Sequence, residues 1–187
     1  MFRERGFHGA SIDDIGAAAG ISGPALYYHF RDKQALLAAA FAHLGDQMFD
    51  RMDQIVRTRL EPEETLHRLI ECHVEVVHTH RDSFPVLFAE DTQLRPDNLD
   101  WVKRRRQSFV EYWVRPLLRI RPALSPSVAR VLATGGIWLV HSMAYTETGA
   151  DDDELKSVLA AAAYVAMVET DVGENPRLIR PVREEMP

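Results

Sequence analysis

Residues 11–36 read SIDDIGAAAGISGPALYYHFRDKQAL. The pattern is a short helix, a tight turn and a second short helix. Ser11 stands where a side-chain oxygen caps a helix, with Asp13 and Asp14 beside the positive end. The spacing predicts a helix over Ile12–Ala19, stopped by Gly20. Ser22 or Gly23 opens the next helix, which runs to about His29, and Pro24 sits in its first turn, where a missing N–H costs little. Asp32 then caps a longer helix starting at Lys33, with Leu36, Leu37, Ala40, Phe41 and Leu44 on one face, continuing past Gly45 toward Leu60. Two short helices joined by a Gly-containing turn form the helix-turn-helix layout. Its second helix lies in a DNA major groove and reads base edges from its N-terminal end. On this reading Ile12, Ile15, Ala18 and Ala19 are the buried face of the first helix, Ile21 plugs the turn, and Leu26 and Phe30 are the buried face of the second. Gly23, Pro24, Ala25, Tyr27, Tyr28 and His29 remain exposed. Two adjacent aromatics on a short helix cannot both face one core, so at least one of them calls for a partner.

The surrounding chain reads as all-α. Alternating strand patterns are missing, and Ala and Leu recur at spacings of three and four. Further helices are expected over Glu63–His80, Phe84–Asp91, Asn98–Arg119, Ser125–Thr146 and Asp152–Val172. Met1–Arg5 reads as the end of a helix closed by Gly6. The organisation expected is a helix-turn-helix domain over 1–45, a helical domain over 46–175 and a tail over 176–187.

Among 187 residues, 22 Lys+Arg face 28 Asp+Glu, a net charge of −6 that argues at first against nucleic acid. The charge is uneven. Residues 1–45 hold four basic side chains (Arg3, Arg5, Arg31, Lys33) and four acidic ones (Glu4, Asp13, Asp14, Asp32), so the whole −6 lies beyond them. A single cysteine excludes a disulfide framework and a Cys-based zinc site, and suits a reducing, cytoplasmic setting. The longest apolar run, Val158–Val168, has eleven residues, short of the roughly 20 a membrane span needs. Arg3, Glu4 and Arg5 interrupt any signal peptide.

The stretch FRERGFHGASIDDIGAAAGISGPALYYHFRDKQAL resembles the DNA-binding domain of the TetR family of bacterial transcriptional regulators, over residues 1 to about 45. Five linked elements carry the resemblance: F-x-E-R-G-F, S-I-x-D-I, A-G-I-S, L-Y-Y-H-F and D-K-x-x-L. It implies a phosphate contact for Ser11 at a helix N-terminus. Ser22 and Gly23 match the start of the recognition helix, Tyr27 a base or thymine-methyl contact, Tyr28 and His29 backbone-phosphate contacts, and Lys33 a further phosphate contact. Gly23 and Ala25 depart from the family pattern, where a polar or basic side chain and a Thr or Ser are common, and Pro24 replaces a frequent small residue. Readout is then expected to lean on Tyr27, backbone amides and DNA shape. The family's first helix is longer, so this chain is expected to begin inside it.

The resemblance also implies a homodimer paired through the last two long helices, and a small molecule bound in the helical core. Ala160–Ala163 and Gly135–Gly136 offer small side chains for close helix approach, within one subunit or between two. The cavity is expected to be lined by His73, Val77, Phe84, Phe88, Trp101, Arg105, Phe109, Tyr112, Trp138 and His141, and to suit a small hydrophobic effector. The run Lys103-Arg104-Arg105-Arg106 could hold an anionic group such as a carboxylate or coenzyme A phosphate, although such runs are more often solvated faces. The segment FAEDTQLRPDNLDWVKRRRQSFVEYW loosely resembles the regulatory domain of members that sense acyl-CoA thioesters.

Enzyme chemistry finds no support. There is no nucleophile motif, no Gly-rich phosphate loop and no cofactor signature. His73 and His78 are five apart on one expected helix and diverge by more than a right angle, so no metal site is expected. The sequence therefore points to a ligand-responsive regulator, expected to be a repressor, that binds double-stranded operator DNA. The competing reading is a helical ligand-binding or interaction module that no longer binds DNA.

Overall fold

The computed structural model describes residue 9, residues 11–82, residue 84, residues 96–145, residue 147 and residues 149–172; side chains are described throughout except at residues 41 and 96–102. The elements are α1 (Ile12–Ala19), α2 (Gly23–His29), α3 (Lys33–Arg57), α4 (Pro62–Thr79), α5 (Pro96–Ile120), α6 (Pro126–His141), a 3-10 turn (Ser142–Ala144) and α7 (Asp152–Val168). No strand occurs among the described residues. The expected helix end at Met1–Arg5 and most of Phe84–Asp91 lie outside them.

The helix starts follow from local chemistry. Ser11, Ser22, Asp32, Ser125 and Asp151 each accept an N–H from the first turn of the helix they precede. Ser11 and Asp14 form a reciprocal capping box. Pro62, Pro96 and Pro126 each stand at a helix's first residue, where fixed φ helps and the lost N–H has no intrahelical partner. Gly20 ends α1 in the left-handed conformation at φ 69°.

Packing divides the molecule. The large core draws Met48 and Met52 from α3, Leu66, Leu69, Ile70, Val74 and Val77 from α4, Trp113, Val114 and Leu117 from α5, Ala129, Ala133, Ile137 and Val140 from α6, and Leu155, Ala163 and Met167 from α7. α6 lies close to α7 because a Cβ at Gly136 would meet Met167 at 3.0–3.1 Å. Gly136 and buried Ala163 are thus spent within the subunit, whereas Gly135 has open space around it. Arg121 reaches across to donate to the Met167 carbonyl at 2.9 Å, satisfying an acceptor at the end of α7.

Three local expectations are corrected. Ala18 and Ala19 are exposed, and the buried positions of α1 are Ile12 and Gly16. α1 and α2 approach through Gly16, where a Cβ would lie 2.6 Å from the Ile21 carbonyl oxygen and 3.2 Å from Leu26 Cδ1. Ile21 does not plug the turn: it bonds to Gly16 through its N–H, and its side chain is 45% exposed. The helix expected over Ser125–Thr146 stops at His141 and tightens into the 3-10 turn. α3 runs unbroken through residue 45 and so belongs to both the helix-turn-helix and the large core.

Candidate nucleic-acid interface and ligand cavity

The candidate interface is the exposed surface of α1, α2 and the first turn of α3. α2 turns Leu26 inward and leaves Tyr27 54% and Tyr28 87% exposed. Pro24 and His29 are exposed as well, Gly23 and Ala25 are half-buried, and Tyr28 and His29 meet edge to face at 5.2 Å. Phenol, imidazole and helix N-terminus thus share one short surface, with no core demanding either tyrosine. The structure bears on one departure from the family pattern. A Cβ built on Gly23 would overlap the carboxylate of Asp13, so a larger residue there would have to turn that exposed side chain aside. It also limits two of the serines. The Ser11 hydroxyl donates to Asp14 Oδ2 at 2.7 Å while accepting its N–H at 3.0 Å, so a phosphate would have to compete with the cap for that proton. Ser22 Oγ is likewise a cap acceptor, for Ala25 N–H at 3.4 Å. Lys33 is half-buried in the first turn of α3, beside the Asp32 cap.

The candidate ligand site is a cavity of about 240 Å³ between α3, α4, α5 and α6. Of the residues expected there, His73, Phe84, Arg105, Phe109, Trp138 and His141 line it. Val77 and Tyr112 do not. Val77 is fully enclosed by the core, and the Tyr112 hydroxyl is turned to donate to Asp53 Oδ1 of α3. Burial and that carboxylate push the Tyr112 phenol up to about 12. Phe88 and the Trp101 side chain lie outside the described residues. Sequence reading missed the wall supplied by α3, namely Leu44, Gly45, Met48 and Phe49, along with Val76, Val110, Thr134 and Ile137. Their apolar spacing marks a core-facing stripe, but nothing local separates a stripe that fills a core from one that walls a cavity.

The basic run splits as α5 turns. Lys103 and Arg104 face solvent, and Arg105 and Arg106 are half-buried on the cavity wall. Arg105 pairs with Asp46 and stands over the Phe49 ring, 4.3 Å from its centre. Deep in the wall, His73 and His141 share a hydrogen bond, Nε2 to Nε2 at 3.1 Å, and are 1% and 5% exposed. One ring donates and the other accepts. Burial holds both neutral: His73 sits well below the usual histidine value, helped by the neighbouring His141, and His141 is pushed down to about 3, helped by the Arg106 charge. Phe109 and Trp113 stand edge-on to His73 at 4.9 and 5.4 Å, and Phe84 to His141 at 4.7 Å. His73 Nδ1 and the Trp113 indole Nε1 have no hydrogen-bond partner among the described residues. Among the described residues the arrangement holds no nucleophile–base pair. Cys72 is only half-buried, its thiol is pushed up by burial, and no group of three or more metal-binding side chains occurs among the described residues. His78, set apart from His73, faces Asp152 of α7 at 3.2 Å.

An exposed helix-turn-helix joined by one long helix to a hollow helical core defines a class: all-α, with a DNA-facing unit and a ligand-sized cavity. The comparisons specify it further. Residues 1–40 match the profile "Bacterial regulatory proteins, tetR family", and residues 59–121 match "Tetracyclin repressor-like, C-terminal domain". The chain belongs to the TetR family, which comprises regulatory proteins and not enzymes. It is 29% identical over 116 residues to the transcriptional repressor KstR2 of Mycolicibacterium smegmatis (61% of this chain, 56% of that protein). To the transcriptional activator FasR of the same species it is 27% identical over 135 residues (72% and 61%). The chain thus spans less than two thirds of the length of either relative. Among solved structures it shares its fold with the ketosteroid transcriptional regulator KstR2 of Mycobacterium tuberculosis (TM-score 0.72, 23% identity, 90% and 89% of the two chains). It also shares it with AibR, solved with isovaleryl coenzyme A and operator DNA (TM-score 0.69, 17% identity, 86% and 90%). No helix among the described residues is long and apolar enough to cross a membrane.

Proposed function

We propose that this protein is a ligand-responsive transcriptional regulator that binds operator DNA as a homodimer and is displaced from it by a small hydrophobic effector. The observation that carries the reading is the outward stance of Tyr27 and Tyr28 on a helix whose inward residue, Leu26, already satisfies the core. Tyr27 touches a base edge or thymine methyl. Tyr28, His29 and Lys33 hold the phosphates, and Ser11, Ser22, Gly23, Pro24 and Ala25 form the close-fitting backbone around them.

Support for the dimer is an apolar face on α6 and α7. Val131 is 71%, Trp138 56%, Val158 57% and Val165 46% exposed, with Gly135 flat and open between the first two. A second copy laid two-fold on this face covers it and presents two recognition helices to successive major grooves, about 34–36 Å apart. The effector occupies the cavity, its apolar body against Phe84, Phe109 and Ile137. Buried polar atoms without a partner among the described residues, such as His73 Nδ1, are costly in a purely structural core and suit a ligand that brings its own hydrogen bonds. An acyl-CoA-like effector fits the two arginines in the wall. Action on chromosomal DNA implies the cytoplasm.

A gel-shift assay of the full chain on the DNA upstream of its own gene tests the reading. A retarded band that survives excess unrelated DNA is expected. Absence of retention at low salt, with the cavity still binding apolar probes, would instead favour a helical module without DNA function.

A further inference from the structure

The recognition helix opens at residue 23 without a side chain, and the space a side chain would take there is filled from α1. A Cβ on Gly23 would overlap Asp13 Oδ1 and lie 2.9 Å from Asp13 Cγ. Residues 23 and 27 are one turn apart on the same face of α2, and Tyr27, 54% exposed, shows that this face looks outward. Asp13 is exposed as well. Its carboxylate is not spent on capping. Ser22 caps α2, and Ser11 with Asp14 caps α1. No hydrogen bond or ion pair holds Asp13 among the described residues, and neither α1 nor α2 carries a Lys or Arg to neutralise it. The N-terminal end of the helix, the part that meets base edges in this motif, therefore presents a carboxylate borrowed from the preceding helix.

Resting on the DNA-binding reading, we propose that Asp13 reads sequence in place of a side chain at residue 23, its carboxylate accepting a hydrogen bond from the exocyclic amino group of a cytosine in the major groove. An ionised carboxylate only accepts. Guanine and thymine offer it acceptors at O6, N7 and O4, and adenine sets its N7 acceptor beside the N6 amino group, whereas cytosine offers the N4 amino donor alone. Facing any other edge, the carboxylate meets an acceptor with phosphates on either side and nothing to offset the repulsion. Asp13 thus lowers affinity for DNA in general and restores it at one base pair. Its contribution is selection by rejection.

The test is selection of duplexes from a random-sequence pool by the full chain, as wild type, Asp13→Ala and Asp13→Asn, followed by anisotropy titration of the selected duplex and its single-pair variants. Wild type should require a C·G pair at one position in each half of the site, by about tenfold over the other pairs. Asp13→Ala should accept all pairs at that position within about twofold, keep every other preference, and bind unrelated DNA roughly two- to fivefold more tightly. Asp13→Asn can donate and accept, and should move the preference there toward A·T. A merely structural role would change stability, and with it binding to every sequence alike, without moving any base preference. Base preferences that survive in Asp13→Ala, an affinity change equal on all sequences, or a relaxed position that is A·T in the wild-type site overturns the proposal and leaves the DNA-binding reading standing. A pool from which wild type selects no sequence overturns both.

Discussion

The helix-turn-helix and the helical core are built from the same kind of element and solve opposite problems. α1 and α2 bury little: Ile12, Gly16 and Leu26 face inward, and the large aromatic side chains of α2 point out. The core formed by α3–α7 turns most of its aromatics inward, Trp138 being the exposed exception, and its two arginines of note are drawn into a wall. A unit that must touch DNA keeps its chemistry on the surface and is held by caps and close backbone approach. A unit that must enclose a ligand keeps its chemistry inside and is held by burial. The contrast teaches where each region is vulnerable: the first to changes at a glycine or a cap, the second to changes in buried volume or buried polarity.

Substitutions can sharpen or break that contrast. The largest effect is expected in the core. Trp113→Ala removes a fully enclosed side chain and should cost about 3–5 kcal/mol in urea unfolding. Next comes acid. The folded chain keeps His73 and His141 neutral, whereas in the unfolded chain both titrate near 6.5. Between that value and about 3 for His141 the unfolded state binds more protons, so stability is full above pH about 6.5 and falls as pH drops through this window. His141 contributes up to about 1.4 kcal/mol per pH unit there, His73 acts in the same direction, and a His73→Phe/His141→Phe variant should show a flatter acid limb than wild type. In the helix-turn-helix, Gly16→Ala forces a Cβ onto the Ile21 carbonyl and should cost about 1–3 kcal/mol, seen as early melting of this unit in hydrogen exchange. Ser11→Ala removes the capping box and should cost about 1 kcal/mol in the same measurement. A larger loss for Ser11→Ala than for Trp113→Ala would break the contrast.

The two regions also differed in how far sequence revealed them. α1 and α2 were legible nearly residue by residue, since Ser11, Gly20, Ser22 and Pro24 are local signals that act within one turn. What escaped there was tertiary. Gly16 reads as an unremarkable helix residue until Ile21 and Leu26 are seen against it, and the exposure of Ala18 and Ala19 follows from that close approach. In the core, helix existence was legible from periodicity, but cavity membership was not. Arg105 and Arg106 could be noticed as part of a basic run, and only the turn of α5 separates them from solvent-facing Lys103 and Arg104. The His73–His141 pair spans 68 residues, a separation no spacing rule reaches. Tyr112 looked like a cavity residue by type and is held elsewhere by Asp53, a partner on another helix.

The most direct test of the account uses Tyr28, which is 87% exposed and has no packing role. Its replacement by alanine should move stability by less than about 0.5 kcal/mol. Fluorescence anisotropy of a labelled upstream DNA fragment, titrated with wild type and Tyr28→Ala in the same salt, separates folding from recognition. The account predicts tight binding by wild type and binding about tenfold weaker by an equally stable Tyr28→Ala. Equal binding by the two proteins, or none by wild type, would contradict it.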